Sequence, residues 1–152
     1  MRLRLAEPAD AEPMARLLRA CFDEMTYLPK LHTIDDDRRF IRDVVLPSHE
    51  VWIADDDGEL LGFTALGADQ LSHIYVNRAV RDRGIGSRLF AHAKERRPNG
   101  FTLWTFQANE GARRFYERHG CTVVQTTDGD ANEEKTPDVQ YEWRPAGRER
   151  AA

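Results

Sequence analysis

The sequence predicts a single α/β domain, and three observations carry that prediction. Short apolar runs with strand periodicity alternate along the chain with segments whose apolar residues recur at helical spacing. Asp57-Gly58, a strong turn pair, joins two of the runs as a hairpin. Between Leu71–Val76 and an amphipathic segment lies Arg81-Asp82-Arg83-Gly84-Ile85-Gly86, a glycine turn leading from strand to helix. At 152 residues, with 41% hydrophobic and 32% charged, the chain has the makings of one soluble globular domain with a real core.

Each element follows from its residues. Arg2–Leu5 reads as a short first strand, and Pro8–Met25 as a helix with Met14, Leu17, Leu18, Cys21 and Phe22 on its inner stripe. Tyr27–Thr33 is irregular around Pro29. Asp35–Val45 is a second helix, whose Asp35, Asp36 and Asp37 suit a helix N-terminus. Val51–Ala54 and Leu60–Leu66 are the arms of the hairpin. Leu71–Val76 is the strand before the glycine turn and Ile85–Arg96 the helix after it. Pro98-Asn99-Gly100 breaks the chain before a strand at Phe101–Phe106. Asn109 is a good N-cap and Gly120 a good terminator for the next helix, where Ala112, Phe115, Tyr116 and His119 recur at helical spacing. Strands at Cys121–Thr127 and Val139–Trp143 enclose a polar, acidic loop, Asp128–Pro137. The domain is expected over residues 1–144, followed by a fraying tail, 145–152, rich in Arg, Glu and Ala.

Composition narrows the function. No apolar run approaches the ~20 residues of a membrane span, and no signal peptide precedes the first periodic segment. Cys21 and Cys121 lie in apolar contexts and read as buried free thiols, so a cytoplasmic location is the default. No His/Cys cluster has metal-ligand spacing, and no metal is expected. The formal net charge is −4, yet Arg78 to Arg97 holds seven basic residues against two acidic ones. A basic island in an acidic chain suggests one polyanionic ligand at one place, not a nucleic-acid-coating surface or a membrane partner.

The glycine turn is where such a ligand would sit, because a helix start offers unpaired N–H donors and partial positive charge. Two familiar phosphate motifs fail on spacing. A dinucleotide fingerprint needs glycine where Leu89 stands and an acid where Trp104, Thr105 and Phe106 stand. A P-loop needs Gly-Lys-Ser/Thr, but Ser87-Arg88 follows Gly86. Alone, the turn also fits a plain strand-to-helix connection.

Two motifs together resemble the GNAT (GCN5-related N-acetyltransferase) family. Arg81 to Gly86 matches its pyrophosphate motif, Gln/Arg-x-x-Gly-x-Gly/Ala. Asn109 to Gly120 matches its second motif, an Asn followed by Ala-x-x-x-Tyr-Glu-x-x-Gly-Phe, with Cys121 replacing the Phe. The resemblance covers roughly residues 1–144 and is strongest over 71–121. It implies a mixed, largely antiparallel central sheet flanked by helices, with acetyl-CoA as acetyl donor. It implies that the backbone of Ile74, Tyr75 and Val76 pairs with the pantetheine arm. Asp82, Arg83, Gly84, Ile85, Gly86 and Ser87 would cradle the pyrophosphate, with Arg81 beside them, and Asn109 would contact the cofactor. A buried strand and a helix cap are the plain structural roles of Ile74–Val76 and Asn109, and both remain open.

The resemblance also implies a task for Tyr116, protonation of the departing thiolate. A phenol with pKa ~10 can do this while staying protonated at neutral pH. Its alternative is packing beside Phe115. The oxyanion donor would be a backbone N–H near Ile74. Some members place a glutamate five residues before the motif Asn, where this chain has Trp104. That departure argues against a glutamate base and peptide N-termini as substrates, and for an aromatic wall around a small acceptor. Candidates for the general base are His32, His73, Glu133 and Glu134. His32 lies between the first two helices, where this fold shapes its acceptor site, and titrates near neutrality; an exposed or capping histidine is the alternative. His73 is either a pocket residue or a satisfied sheet histidine. Glu133 and Glu134 could attract a cationic amine or merely solvate their loop. His49, His92 and His119 read as structural or exposed.

The expected activity is acetyl transfer from acetyl-CoA to a primary amine of a small molecule by direct attack, without a covalent enzyme intermediate. The alternatives are a protein or peptide N-acetyltransferase and a non-catalytic acyl-CoA-binding sensor. Dimers are frequent in the resembled family, so a homodimer is a further expectation.

Overall fold

The protein is described here from a computed structural model covering residues 1–146. Most of the tail expected at 145–152 therefore lies outside the described residues. β1 (Arg2–Leu5), β2 (Glu50–Asp56), β3 (Glu59–Leu66) and β4 (Leu71–Val76) form one antiparallel sheet in that order. At the β2–β3 turn Asp57 and Gly58 take φ of 54° and 88°, the left-handed pair that a two-residue hairpin uses. β5 (Phe101–Phe106), β6 (Thr122–Thr127) and β7 (Asp138–Trp143) form a second antiparallel sheet, ordered β5-β7-β6.

The sheets meet where β4 lies beside β5. A parallel bridge between Gln70 and Thr102 joins them, supported by the Thr102 N–H donating to the Asp69 carbonyl (3.0 Å). Past that bridge no ladder connects the two strands among the described residues, and the gap between them holds the candidate site.

Helices cover both faces. α1 (Ala11–Glu24) buries Met14, Ala15, Leu17, Leu18 and Cys21 against Val51, Ile53, Phe63 and Ala65 of the first sheet. Complete burial of side chains of Leu or Met size contributes about 1.5–3 kcal/mol each. α2 (Ile34–Phe40) starts at a capping box, with the Asp36 N–H donating to Thr33 Oγ1 (3.2 Å) and the Thr33 N–H to Asp36 Oδ2 (2.9 Å). α3 (Leu46–Ser48) is a last turn before β2. On the opposite face, Ile85 and Leu89 of α4 (Ile85–Arg96) pack on Ala54 and Leu61. Tyr116 of α5 (Glu110–Arg118) joins Phe90, Leu103, Val139 and Tyr141 in the core of the second sheet.

Several boundaries differ from the sequence reading, among them β2, which runs two residues further to Asp56, and three have a clear local cause. The first helix is preceded by a separate 3-10 turn, Pro8–Asp10, because Arg4 and the Glu7 N–H hold the Asp10 carboxylate there. The second helix is α-helical only to Phe40. Ile41–Val45 is wound wider, as a π-helix in which the Leu46 N–H reaches back to the Ile41 carbonyl, just ahead of Pro47, which has no N–H to give. Cys121 falls outside β6 because its N–H donates to the Tyr116 carbonyl (2.9 Å) and closes α5. Cys21 and Cys121 are both buried free thiols. No described helix is long and apolar enough to cross a membrane.

Candidate active site

The gap between β4 and β5 opens a cavity of about 770 Å³, walled by β4, the glycine turn, the start of α4, the end of β5, and α5. Its electrostatics begin with the exposed edge of β4. The Asn77 N–H donates to the Leu61 carbonyl (2.8 Å), and Tyr75 is paired with Phe63. Antiparallel ladders alternate, so residues 73, 75 and 77 turn their backbone groups to β3 while Ile74 and Val76 turn theirs into the gap. The Val76 carbonyl accepts from Arg81 Nε (3.2 Å) and, more weakly, from the Cys21 thiol (3.9 Å). The amides of Ile74 and Val76 and the Ile74 carbonyl are left facing the cavity, as a ligand laid along the strand requires. Tyr75 departs from expectation: its backbone is engaged by β3, and its ring reaches the cavity instead.

At the glycine turn, Asp82 and Gly84 have φ of 67° and 80°. A Cβ on Gly84 would meet nothing, so what this position demands is the left-handed backbone itself. A Cβ on Gly86 would touch the Phe115 ring at 3.4 Å and Val76 Cγ2 at 3.7 Å, contacts the fold can bear. The Arg88 N–H closes the first helical bond, to the Gly84 carbonyl (3.0 Å), so the N–H groups of Ile85, Gly86 and Ser87 have no acceptor within the helix. These three residues and Asp82 line the cavity.

The cations are arranged differently from the sequence reading. Arg81 lines the cavity, but its Nη1 donates to Glu24 Oε2 (2.6 Å) and its Nη2 lies 3.5 Å from Cys21 Sγ. It fastens the end of α1 to β4, and its charge is spent on Glu24. Arg83 does not line the cavity. Arg114 and Arg118 do, one turn apart on α5, and sequence reasoning missed them. Their signal was the i, i+4 basic pair inside the second motif, on the side of α5 that carries Gly111 and Phe115.

Asn109 is the α5 cap and also lines the cavity. Its Oδ1 accepts from the Ala112 N–H (3.1 Å) as the α5 cap, and its Nδ2 reaches toward Met25 Sδ (3.9 Å) on the cavity wall. Ser87 Oγ lies 3.1 Å from His119 Nε2, tying α4 to α5. Tyr116 is 7% exposed, with its ring between Phe90, Phe115 and Tyr141. Its hydroxyl has no hydrogen-bond partner among the described residues and belongs to the cavity wall. Burial pushes this phenol well above its ordinary range, so it stays protonated at neutral pH.

On the other side of β4 the cavity is aromatic. Tyr75 packs between Phe22 (6.3 Å between ring centroids), Phe63 (5.6 Å) and His73 (6.0 Å). Tyr27 meets Phe106 edge-on at 6.3 Å, and Trp104 on β5 is 40% exposed. His73, the alternative among the sequence candidates, is a cavity-wall residue. Phe40 and His49 pack on its ring at 5.7 and 6.1 Å, and burial, assisted by His49, pushes its pKa down to about 4.

His32, Glu133 and Glu134, the other sequence candidates for the base, do not line the cavity. The Thr33–Asp36 capping box starts α2 directly after His32 and leaves the imidazole half exposed, with Nε2 2.7 Å from Glu133 Oε1 and Nδ1 3.8 Å from Asp36. Glu134 is half-buried and near enough to Tyr75 to add to the upward push on its phenol, which burial dominates. Among the described residues no group of three or more His, Cys, Asp or Glu could hold a metal ion.

Comparison with known proteins bears on the whole arrangement. Residues 47–122 match the family model described as an acetyltransferase (GNAT) domain. Over 86 residues the chain is 34% identical to the peptidyl-lysine N-acetyltransferase YiaC of Escherichia coli, covering 55% of this chain and 58% of that protein. It is 31% identical over 86 residues to the peptidyl-lysine N-acetyltransferase YjaB of Salmonella typhimurium, covering 56% and 59% respectively. The chain thus matches under two thirds of the length of these relatives. Among solved structures, apo YjaB from Escherichia coli superposes with a TM-score of 0.76 at 21% identity, covering 93% of this chain and 96% of that one. An aminoglycoside 6′-N-acetyltransferase complexed with coenzyme A gives 0.75 at 19% identity, covering 99% and 100%.

Proposed function

The chain belongs to the GNAT acetyltransferase family, and on that footing we propose that it transfers an acetyl group from acetyl-CoA to a primary amine by direct attack. The observation that carries this reading is the continuity of the cavity, which joins the open N–H groups of the α4 start to the unpartnered Tyr116 hydroxyl along the exposed edge of β4. The residues fit the donor. Gly86 keeps the α4 start bare although packing would tolerate a methyl there, and the free Ile74 carbonyl and Val76 N–H suit a chain of alternating amide groups.

Bound there, acetyl-CoA supplies an acyl carbon activated as a thioester. The N–H groups from Ile85 to Ser87 hold the diphosphate, and Arg118 adds positive charge, beside Arg114, whose Nη1 lies 4.0 Å from Glu110 Oε2. Ile74 N–H donates to the carbonyl oxygen as negative charge develops on it. Tyr116 gives its proton to the leaving sulfur; its raised pKa keeps that proton on the oxygen until a thiolate asks for it.

We propose a small alkylamine as acceptor, held among Tyr27, Phe22 and Trp104. The second reading, a lysine side chain of a protein, has the names of two relatives in its favour and the same chemistry at the nitrogen. The test is calorimetric titration with acetyl-CoA, followed by thiol release with spermidine, lysine, kanamycin and Nα-acetyl-lysine amide. Thiol release with at least one amine is expected. Tight binding of acetyl-CoA without thiol release from any of them would favour the sensor, and no binding would overturn the reading entirely.

A further inference from the structure

The cavity contains a polar group that the preceding mechanism does not use. His73 stands on β4 one residue before Ile74, the proposed oxyanion donor, and two residues before Tyr75, whose ring stacks on it (6.0 Å, 29° between planes). Along β4 the side chains alternate. Ile74 and Val76 pack with the α4 cluster, while Tyr75 packs with the α1 cluster. His73 shares the face of Tyr75, the side of the strand opposite the glycine turn. Its imidazole makes no hydrogen bond among the described residues, whereas His49 beside it is held at both nitrogens, by Ser48 Oγ (2.9 Å) and Ser72 Oγ (3.0 Å). A sheet histidine kept for structure looks like His49. A histidine with a free nitrogen on a cavity wall is equipped to meet a ligand.

Resting on the acetyltransferase reading, we propose that His73 is the catalytic base that takes the proton from the attacking amine. The acceptor nitrogen bonds to the thioester carbon, the C–S bond breaks, the surplus N–H proton passes to the His73 ring, and the sulfur takes the Tyr116 proton. After products leave, the imidazolium loses one proton and the tyrosinate regains one, so both groups return to their starting forms and the thiol carries the net proton. The environment keeps the ring neutral at pH 7. Tyr75 from its own strand, Phe40 from α2 and His49 from the segment before β2 pack on it, no carboxylate among the described residues is in contact with it, and burial lowers its pKa to about 4. So weak a base suffices because the N–H is far more acidic once its nitrogen is bonded to the acyl carbon than in a free alkylammonium. His32, already engaged by Glu133 outside the cavity, has no such access.

The experiment measures thiol release from acetyl-CoA with the panel amine that wild-type protein acetylates, alongside acetyl-CoA affinity and thermal stability. His73→Phe keeps the ring packing and removes the nitrogens; turnover is expected to fall about 10²-fold or more with acetyl-CoA affinity unchanged. His73→Ala is expected to fall equally and to recover part of its turnover on addition of free imidazole. Turnover of His73→Phe within threefold of wild type, or a loss in His73→Ala that imidazole does not relieve, would overturn the assignment. A wild-type protein that binds acetyl-CoA but acetylates no amine would instead remove the reading on which it rests.

Discussion

The open edge of β4 and its α1-side face present different physical means of recognition to the cavity. Along the edge and toward α4 the cavity is offered backbone: the amides of Ile74 and Val76, and the N–H groups that open α4 after a left-handed Gly84. Toward α1 and α2 it is lined by Phe22, Tyr27, His73, Tyr75 and, from β5, Trp104. Backbone recognition constrains residue type sharply, since a bare helix start needs glycine and a positive φ. Side-chain recognition accepts many aromatic arrangements. On the proposed reading, the first leaves a motif and fixes the donor; the second leaves none and is free to vary with the acceptor.

The largest expected effect tests whether Tyr116, which sits where the two regions meet, belongs to the chemistry or to the packing. Tyr116→Phe keeps the ring among Phe90, Phe115 and Tyr141 and deletes a hydroxyl with no hydrogen-bond partner among the described residues. Turnover should drop about 10²-fold while acetyl-CoA affinity stays within twofold, measured by thiol release and calorimetry. Unchanged turnover would reduce Tyr116 to a core residue.

Next, the glycines should separate conformation from ligand approach. Gly84→Ala forces a Cβ into the left-handed region and should cost about 1 kcal/mol of stability, read as a lower unfolding midpoint in urea. Gly86→Ala meets only contacts of 3.4 Å and longer, so its stability should hold while acetyl-CoA affinity falls roughly tenfold. Equal effects at both positions would mean that the turn is merely a connection. On the other face, Trp104→Ala should raise the KM for the amine several-fold and leave acetyl-CoA affinity alone; a matching loss of acetyl-CoA affinity would erase the distinction between the two faces.

The same division explains what the sequence disclosed. The strand and helix order, the hairpin at Asp57-Gly58 and the glycine turn are local, written within a few adjacent residues. The fate of Arg81 is not: Glu24 is far away in the chain, and only the packing of α1 on the sheet brings the two together. Periodicity assigned Leu71–Val76 to a strand, but which of its amides face outward depends on register against β3, hence the different role of Tyr75. Arg114 and Arg118 were visible as residues and illegible as cavity wall until α5 was set against α4. For His32, the capping box that takes it away from the cavity was readable in Thr33 and Asp36, and its weight against a catalytic role was not. The wider winding at Ile41–Val45 had Pro47 as its trace, a residue that reads equally well as a helix end.

The smallest expected effect concerns the far end of α4, where no ligand is involved. Glu50 accepts from Arg96 Nε (2.8 Å), Arg96 Nη2 (3.0 Å) and Trp52 Nε1 (2.8 Å), and lies 3.5 Å from Arg97 Nη1. Arg96 foremost, with Trp52 and Arg97, holds the Glu50 carboxyl down at about 2, against 4.5 for an unconstrained glutamate. Because the folded value is the lower one, the linkage stabilises the fold above pH 4.5 and fades as pH falls toward 2. Glu50→Gln should therefore lower the urea midpoint modestly at pH 7, and the gap from wild type should close in acid. Acetyl-CoA affinity at pH 7 should not move, because the ligand-facing N–H groups belong to the opposite end of the helix. If affinity fell with stability, donor recognition would depend on how firmly all of α4 is seated on the sheet, and the glycine turn would no longer account for it alone.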